Sequence, residues 1–385
     1  MYIITKLGIG GSSYYTLMLS SKINQDRYET VLVKGFERED EGNMMHFFNT
    51  SQVRLILVPV LCRQLHPVKD IAAFVQLWRI IKTYRPDIIH TNSAKAGALG
   101  RLVGRMMGVS VIIHTIHGHV FHSYFNPVMS YVFRLIERLS ALWSHKVITV
   151  GEFQRREILQ YKVGNSKKVI SIPIGLELEP LLSCERHHGL LRRELGLEEN
   201  ILLVGIVARL FPVKGHNLFL EAAAKVRDQF SPVKFVIVGG GELTEPLKHH
   251  AKKLRMERDI FFLGYRSDLP EIYSDLDIVV LSSYNEGMPV SIIEAMAAAK
   301  PVVATEVGSV RELVNHGETG YIVPSGNANA LAEAILKLLQ QPSLRHAMGK
   351  QGRQHMNSQF TLERMLQATE SLYLQTLEER RNSRS

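Results

Sequence analysis

Eleven short runs of apolar, mostly β-branched residues recur along the chain, separated by stretches with the 3.6-residue period of helices. The strand candidates are 2–5, 30–34, 54–57, 87–90, 111–114 and 146–150 in the first half, and 201–207, 233–238, 260–263, 277–281 and 301–304 in the second. Strands that alternate with helices run parallel, because each helical crossover carries the chain back to the same end of the sheet. Runs apolar throughout suit strands covered by helices on both faces. The expected class is therefore α/β, built as doubly wound, Rossmann-like domains. A chain of 385 residues is too long for one domain of ordinary size and fits two.

The polar stretch from Pro173-Ile174-Gly175 through Glu185-Arg186-His187-His188 to Glu198-Glu199-Asn200 has no long apolar run and marks the expected boundary. Residues 1–180 are read as a first domain, 181–358 as a second, and 359–385 as a last helix with a disordered tail, Arg380 to Ser385. That helix, from about Leu362 to Glu378, presents Leu366, Leu372, Tyr373 and Leu377. Cys62 and Cys184 lie far apart without metal-type spacing, as reduced thiols of a cytosolic protein do. No run reaches the ~18 to 20 apolar residues of a membrane span, and the start Met1-Tyr2-Ile3-Ile4-Thr5-Lys6 lacks signal-peptide architecture. The first strand begins almost at the initiator and is unusually short.

The net charge of +9 belongs entirely to the first half: residues 1–180 hold 22 Lys+Arg against 13 Asp+Glu, and residues 181–385 hold 24 of each. A basic domain favours an anionic partner such as membrane phospholipid, a lipid diphosphate or nucleic acid. Nucleic acid is disfavoured, since neither aromatic-basic interleaving nor zinc-finger spacing is present.

Two glutamates, Glu286 and Glu294, bracket a loop that follows the apolar run 277–283 and turns into a helix near Pro289. The free N–H groups of the helix start, along Gly287-Met288-Pro289-Val290, form an anion site at the positive end of the dipole. Carboxylates beside phosphate are better used on neutral hydroxyls, those of a ribose and a sugar. The same spacing also suits a solvated loop glutamate and a helix-surface glutamate. Upstream, Arg209 and Lys214 follow the apolar run 201–208, on a loop at the carboxyl end of a strand where open α/β sheets bind ligands. A guanidinium and an ammonium there can neutralise a diphosphate, although solvated loop cations fit the spacing equally.

With these residues in place the chain resembles the retaining family-4 glycosyltransferases of the GT-B fold, as Arg209, Lys214, Glu286 and Glu294 in their order and spacing match that family's signatures. Gly10-Gly11, His117-Gly118, Gly239-Gly240-Gly241 and Leu263-Gly264-Tyr265-Arg266 extend the resemblance over nearly the whole chain. One departure is Ile174-Gly175-Leu176-Glu177, where relatives carry Asn-Gly-Ile-Asp-like residues. The resemblance implies two domains facing a cleft, with a nucleoside diphosphate sugar as co-substrate and no further cofactor. It also implies that Gly10 and Gly11 lie near the donor diphosphate, that Gly240 belongs to the donor-binding residues, that His117 sits beside the transferred sugar, and that Tyr265 and Arg266 meet the base mainly through backbone, favouring uridine. Many such enzymes build bacterial surface polysaccharides on a polyprenyl diphosphate, which points to a saccharide or lipid-linked acceptor and a cytoplasmic protein held peripherally at the inner face of the membrane.

Gly8-Ile9-Gly10-Gly11-Ser12 also sits where a dinucleotide fingerprint would, but Ser13 replaces the third glycine and Val33-Lys34-Gly35 offers no acid for a ribose. His114, His117 and His119 alternate, yet the intervening glycine and the lack of a nearby carboxylate argue against a closed metal site. Ser93 and Lys95 are candidates for an acceptor phosphate, or else a helix cap and a solvated lysine. The helix that follows carries Arg101 and Arg105 on one face. The stretch Phe121, Tyr124, Phe125, then Val128 to Trp143 with Arg134 and Arg138, suits a lipid interface, but most of its apolar residues are expected in the core. His122 is read as a loop residue. Asp275-Leu276-Asp277 imitates a metal-holding motif but falls where a helix ends and a strand begins, so no metal requirement is expected. The competing functions are a nucleotide-sugar epimerase of the same fold, a dinucleotide oxidoreductase, which the broken fingerprint disfavours, and a non-catalytic nucleotide-sugar binder.

Overall fold

The computed structural model describes residues 1–37, 42–47, 53–118, 127–356 and 359–382. His119, Phe121, His122, Tyr124, Phe125 and the last three residues of the tail lie outside that set. The chain divides into two compact units, Met1–Gly175 with Leu362–Ser385, and Leu176–Thr361. Each is built around one parallel sheet.

The first unit holds β1 (Tyr2–Ile4), β2 (Val31–Lys34), β3 (Arg54–Leu57), β4 (Ile88–Asn92), β5 (Val111–Ile116), β6 (Lys146–Thr149) and β7 (Val169–Ser171). Their order across the sheet is β3-β2-β1-β4-β5-β6-β7. The chain reverses direction between β1 and β4, the switch point at which doubly wound sheets open a ligand crevice beyond their strand ends. The second unit holds β8 (Leu202–Val207), β9 (Val233–Val238), β10 (Ile260–Gly264), β11 (Ile278–Leu281), β12 (Val302–Thr305) and β13 (Gly320–Val323), ordered β10-β9-β8-β11-β12-β13, with its switch point between β8 and β11. All pairings in both sheets are parallel.

Eleven of these strands coincide with the apolar runs of the sequence, within about two residues at either end. The structure adds β7 and β13, each the last strand of its sheet and at its edge. An edge strand of three or four residues needs no long apolar run to hold its place, so neither stands out in the sequence. Much of the expected boundary stretch is helical. Three short helical segments, Glu179–Leu182, Cys184–His187 and Leu190–Glu194, bury Leu181, Cys184 and Leu191 in the second unit.

The core of the second unit forms where Val204, Ile206, Phe235, Ile237 and Val280 meet the helix His216–Arg227, with Phe219 edge-on to Phe235 at 6.2 Å. In the first unit the helix Leu362–Asn382 packs its own face, Met365, Thr369, Leu372, Tyr373 and Thr376, into the domain. Leu366 and Leu377, expected on that face, are only half-buried, and two threonines take core positions by returning their hydroxyls to carbonyls one turn back. The Tyr373 hydroxyl meets His90 Nδ1 at 2.5 Å and the Tyr2 hydroxyl at 3.3 Å.

The greatest departure is the helix Pro127–Trp143. Most of its large apolar residues are not core: Val128, Tyr131, Leu135, Leu139 and Leu142 are exposed, while Ser130, Glu137, Ser140 and Ala141 are buried and Phe133 packs against the core. Arg101 is likewise fully buried while Arg105 is exposed, so the pair does not form one basic face. The Arg101 guanidinium donates to Glu137 Oε1 at 2.6 Å and Oε2 at 3.1 Å, and its Nε to the Gly97 carbonyl at 2.8 Å. A buried charge needs its opposite, and the helix turns inward to supply the carboxylate.

Candidate active site

In the second unit, the loops after β8 and β11 leave neighbouring strand ends and are stitched together. Tyr284 N donates to the Val213 carbonyl at 2.8 Å, and Ser282 Oγ to the Lys214 carbonyl at 3.1 Å. Gly215 makes this possible: at φ 64° it adopts a left-handed turn, and a Cβ there would lie 2.0 Å from the Ser282 carbonyl oxygen. The loops thereby bring Lys214 and Glu286, separated by 72 residues, to 2.6 Å between Nζ and Oε1. The same Glu286 oxygen accepts from Ser283 Oγ at 2.6 Å, and the carboxylate side chain is 8% exposed. Ser309 N holds the carbonyl of Gly287 at 3.2 Å, fixing the turn that leads through Met288 and Pro289 into the helix Val290–Ala297.

Glu294 stands in the second turn of that helix, where Tyr273 Oη donates to its Oε2 at 2.8 Å. Burial pushes the Glu294 carboxyl up to about 7, and the Tyr273 hydrogen bond opposes the rise. Arg209 stacks its guanidinium over the Phe211 ring at 4.9 Å, which sets its direction through cation–π attraction. The histidine after the loop glycine, His216, is buried and held neutral, down at about 3, by burial and then by the nearby Lys214 charge.

Gly240 and Tyr265 are brought together: a Cβ on Gly240 would meet the tyrosine ring at 2.7 Å. Arg266 is committed within the fold, donating to both oxygens of Glu194 at 2.6 and 2.9 Å and from Nε to Asp268 at 2.7 Å. Asp275 and Asp277 are similarly occupied. Asp275 accepts from the backbone of Gly189 at 2.6 Å and Arg192 at 2.9 Å, and Asp277 from the Arg192 guanidinium at 3.0 Å and Leu203 N at 2.8 Å. Their position, at the end of the helix Leu269–Asp275 and just before β11, is the structural one read from the sequence.

In the first unit, Gly10 opens the helix Gly11–Lys22, its carbonyl accepting from Ser13 N and Tyr14 N at 3.1 and 3.0 Å. His117 follows β5; its Nε2 lies 2.8 Å from Asn92 Oδ1, and the Tyr15 ring stands edge-on at 4.8 Å. Donation from Nε2–H to the amide oxygen leaves Nδ1 as the acceptor of the imidazole. Burial pushes this imidazole down to about 3, so it is neutral at physiological pH. The Asn92 amide nitrogen is itself buried without a hydrogen-bond partner. His114 is engaged elsewhere, at 2.9 Å from Thr91 Oγ1 and 3.7 Å from Glu137. Among the described residues no group of three or more His, Cys, Asp or Glu side chains could hold a metal ion.

Ser93 and Lys95 face inward contacts. Ser93 Oγ accepts from Thr5 N at 3.1 Å, and Lys95 pairs with Asp70 at 2.5 Å and also donates to the Gln64 carbonyl. Sequence reasoning missed Ser283 and Tyr273, which hold Glu286 and Glu294 in the second unit, and Asn92, which holds His117 in the first. Ser283 stands three residues before Glu286 at the end of the strand and was open to notice; Tyr273 and Asn92 lie 21 and 25 residues from their partners, on other elements.

Two doubly wound parallel sheets, one presenting a paired cation and carboxylate with a second, half-buried carboxylate beyond its strand ends, define a glycosyltransferase of the GT-B fold. The model for group 1 glycosyl transferases matches residues 189–355, and that for the glycosyl transferase 4-like domain matches residues 10–175; the chain belongs to family 4 of the glycosyltransferases. It is 28% identical over 339 residues, 87% of each chain, to the UDP-Gal:alpha-D-GlcNAc-diphosphoundecaprenol alpha-1,3-galactosyltransferase of Escherichia coli. It is 24% identical over 352 residues, 90% of this chain and 91% of the other, to the N,N'-diacetylbacillosaminyl-diphospho-undecaprenol alpha-1,3-N-acetylgalactosaminyltransferase of Campylobacter jejuni. The crystal structure of Anabaena Alr3699/HepE in complex with UDP-glucose shares the fold at a TM-score of 0.79 and 20% identity, over 97% of this chain and 99% of that one.

Proposed function

We propose that the protein transfers a hexose or N-acetylhexosamine from a UDP-sugar to a saccharide carried on a polyprenyl diphosphate, with retention at the anomeric carbon and without a metal. The observation that carries this reading is the Lys214–Glu286 pair at 2.6 Å, with Arg209 on the same loop and Glu294 eight residues beyond Glu286. As the bond from the anomeric carbon to the diphosphate oxygen breaks, negative charge grows on the leaving group, and Arg209 and Lys214 stabilise it. Glu286 accepts from a hydroxyl of the donor sugar and Glu294 from the ribose. The backbone of Gly240, Tyr265 and Arg266 meets the base, and the amides from Gly287 to Val290 meet phosphate. The acceptor hydroxyl attacks from the face the leaving group vacates, and its proton passes to the departing phosphate. Neutral His117 contributes a hydrogen bond to a sugar hydroxyl, and Gly10 and Gly11 allow close approach of backbone to the diphosphate. A lipid-linked acceptor suits the names of the two relatives, and with the basic first half it implies work at the inner face of the cytoplasmic membrane.

The test is thermal stabilisation by UDP-, GDP- and ADP-sugars, with NAD and NADP alongside. A ligand at 100 times its Kd adds about 2.7 kcal/mol. Stabilisation by UDP-sugars alone is expected; stabilisation only by NAD or NADP overturns the reading.

A further inference from the structure

The helix Pro127–Trp143 is turned inside out relative to an ordinary surface helix. Every one of its residues that is exposed is apolar or aromatic, with Val128 at 71% and Leu142 at 72%, whereas its buried residues are small or polar. Seventeen residues make a stripe roughly 25 Å long. A surface of that extent left to water is costly and marks a docking site.

The surroundings specify what covers it. Three helices, Pro67–Tyr84, Ala94–Met106 and Pro127–Trp143, link β3 to β4, β4 to β5 and β5 to β6, moving in one direction across the sheet. Right-handed crossovers of this kind place all three on one face of the sheet, and the middle helix touches both neighbours. The helix Pro67–Tyr84 exposes Val68, Ile71 and Val75, so apolar side chains emerge at both flanks of the layer. Across all three helices the only acidic residues are Asp70 and Glu137, and each is paired inward, with Lys95 and Arg101. Lys69, Arg79, Lys82 and Arg105 are exposed. The outer surface of the layer therefore combines apolar side chains with cations and offers no unpaired carboxylate. A second copy presenting the same face would set like charges against one another, whereas an anionic bilayer satisfies both features, accepting the apolar stripe at the acyl boundary and the cations at lipid phosphates.

We propose that this helical layer seats the enzyme on an anionic lipid bilayer, the helix Pro127–Trp143 lying along the surface with its apolar face embedded. This rests on the lipid-linked acceptor proposed above and adds the surface by which the protein meets the membrane holding it.

The experiment is flotation of the full chain with vesicles of phosphatidylcholine alone and with vesicles enriched in phosphatidylglycerol, for wild type and for the double variant Leu135→Glu, Leu139→Glu. Both positions are exposed, so the fold is retained, and unchanged stabilisation by UDP-glucose verifies this. Wild type is expected to float with the anionic vesicles, and the double variant to bind them at least about tenfold more weakly, since charged side chains are expelled from the acyl boundary. Wild type that binds UDP-glucose but not anionic vesicles overturns this proposal and leaves the glycosyltransferase reading standing. Failure of every UDP-sugar to bind would strike the earlier reading instead. Vesicle binding equal in wild type and variant overturns the assignment of the surface. A wild-type dimer in light scattering that the substitutions convert to monomer assigns the face to a second copy.

Discussion

Glu294 carries a measurable conflict between stability and binding. Burial raises its carboxyl from the ordinary 4.5 to about 7. Below pH 4.5 folded and unfolded chains both hold the proton and the site costs nothing. Between 4.5 and 7 the unfolded chain ionises first, so stability falls as pH rises; above 7 both forms are ionised and the loss is constant. At 1.36 kcal/mol per unit the full loss is about 3 kcal/mol at pH 8, and at pH 5 it is only about 1 kcal/mol. Glu294→Gln keeps the shape and leaves an amide oxygen for the Tyr273 hydroxyl, but has nothing to ionise. The variant is therefore expected to be more stable than wild type by about 3 kcal/mol at pH 8 and by about 1 kcal/mol at pH 5. In calorimetry that corresponds to a Tm increase of roughly 6 to 12 °C at pH 8 for a unit of this size. The same variant should lose most of the stabilisation that UDP-glucose gives wild type, because a neutral amide is a weaker acceptor for ribose hydroxyls than a carboxylate. A gain equal at the two pH values would show that the Glu294 carboxyl is not raised by burial, and a variant that still responds fully to UDP-glucose would take Glu294 out of donor binding.

Two further expectations concern the ion pairs. Lys214→Met breaks the pair with Glu286 and removes the cation proposed to stabilise the leaving group; kcat for transfer should fall by about 10² to 10³, and an unchanged kcat in steady-state assays would remove Lys214 from the chemistry. Arg101→Met strands the Glu137 carboxylate inside the first unit; denaturant unfolding should show a loss of about 3 to 5 kcal/mol, partly recovered by adding Glu137→Leu, and a loss that the second substitution deepens would contradict the account.

Much of the architecture was open to reading because it depends on local signals. A run such as Leu202–Val207 is apolar on both sides, so it specifies a strand inside a sheet wherever that sheet is assembled. The loop residues of the site were legible for a related reason: Arg209 to Gly215 and Glu286 to Glu294 are short segments whose spacing follows from a strand end and a helix start. The edge strands β7 and β13 were not, since hydrogen bonding to one neighbour holds a short segment that has little pattern of its own.

Amphipathic stretches gave a different difficulty. Periodicity shows that a helix has an apolar face but not what covers it, and for Pro127–Trp143 the ordinary expectation failed because a buried arginine on another helix needed the glutamate of this one. Ser93 and Lys95 were chemically suited to a phosphate, yet side chains and backbone groups from remote parts of the chain, Thr5, Gln64 and Asp70, already engage them.

Two parallel α/β units and the residue types beyond their strand ends follow from the amino-acid order, because strand and helix periods and loop spacings are properties of contiguous segments. Tertiary structure alone decided which charges are neutralised: Lys214 by Glu286 and Arg101 by Glu137. It alone set the Tyr273 hydroxyl on Glu294 and the Asn92 amide on His117, and left one apolar helix face outward. Those outcomes depend on distances and burial between segments far apart in the chain, and the free energy of a charge or hydroxyl is set by its neighbours in space.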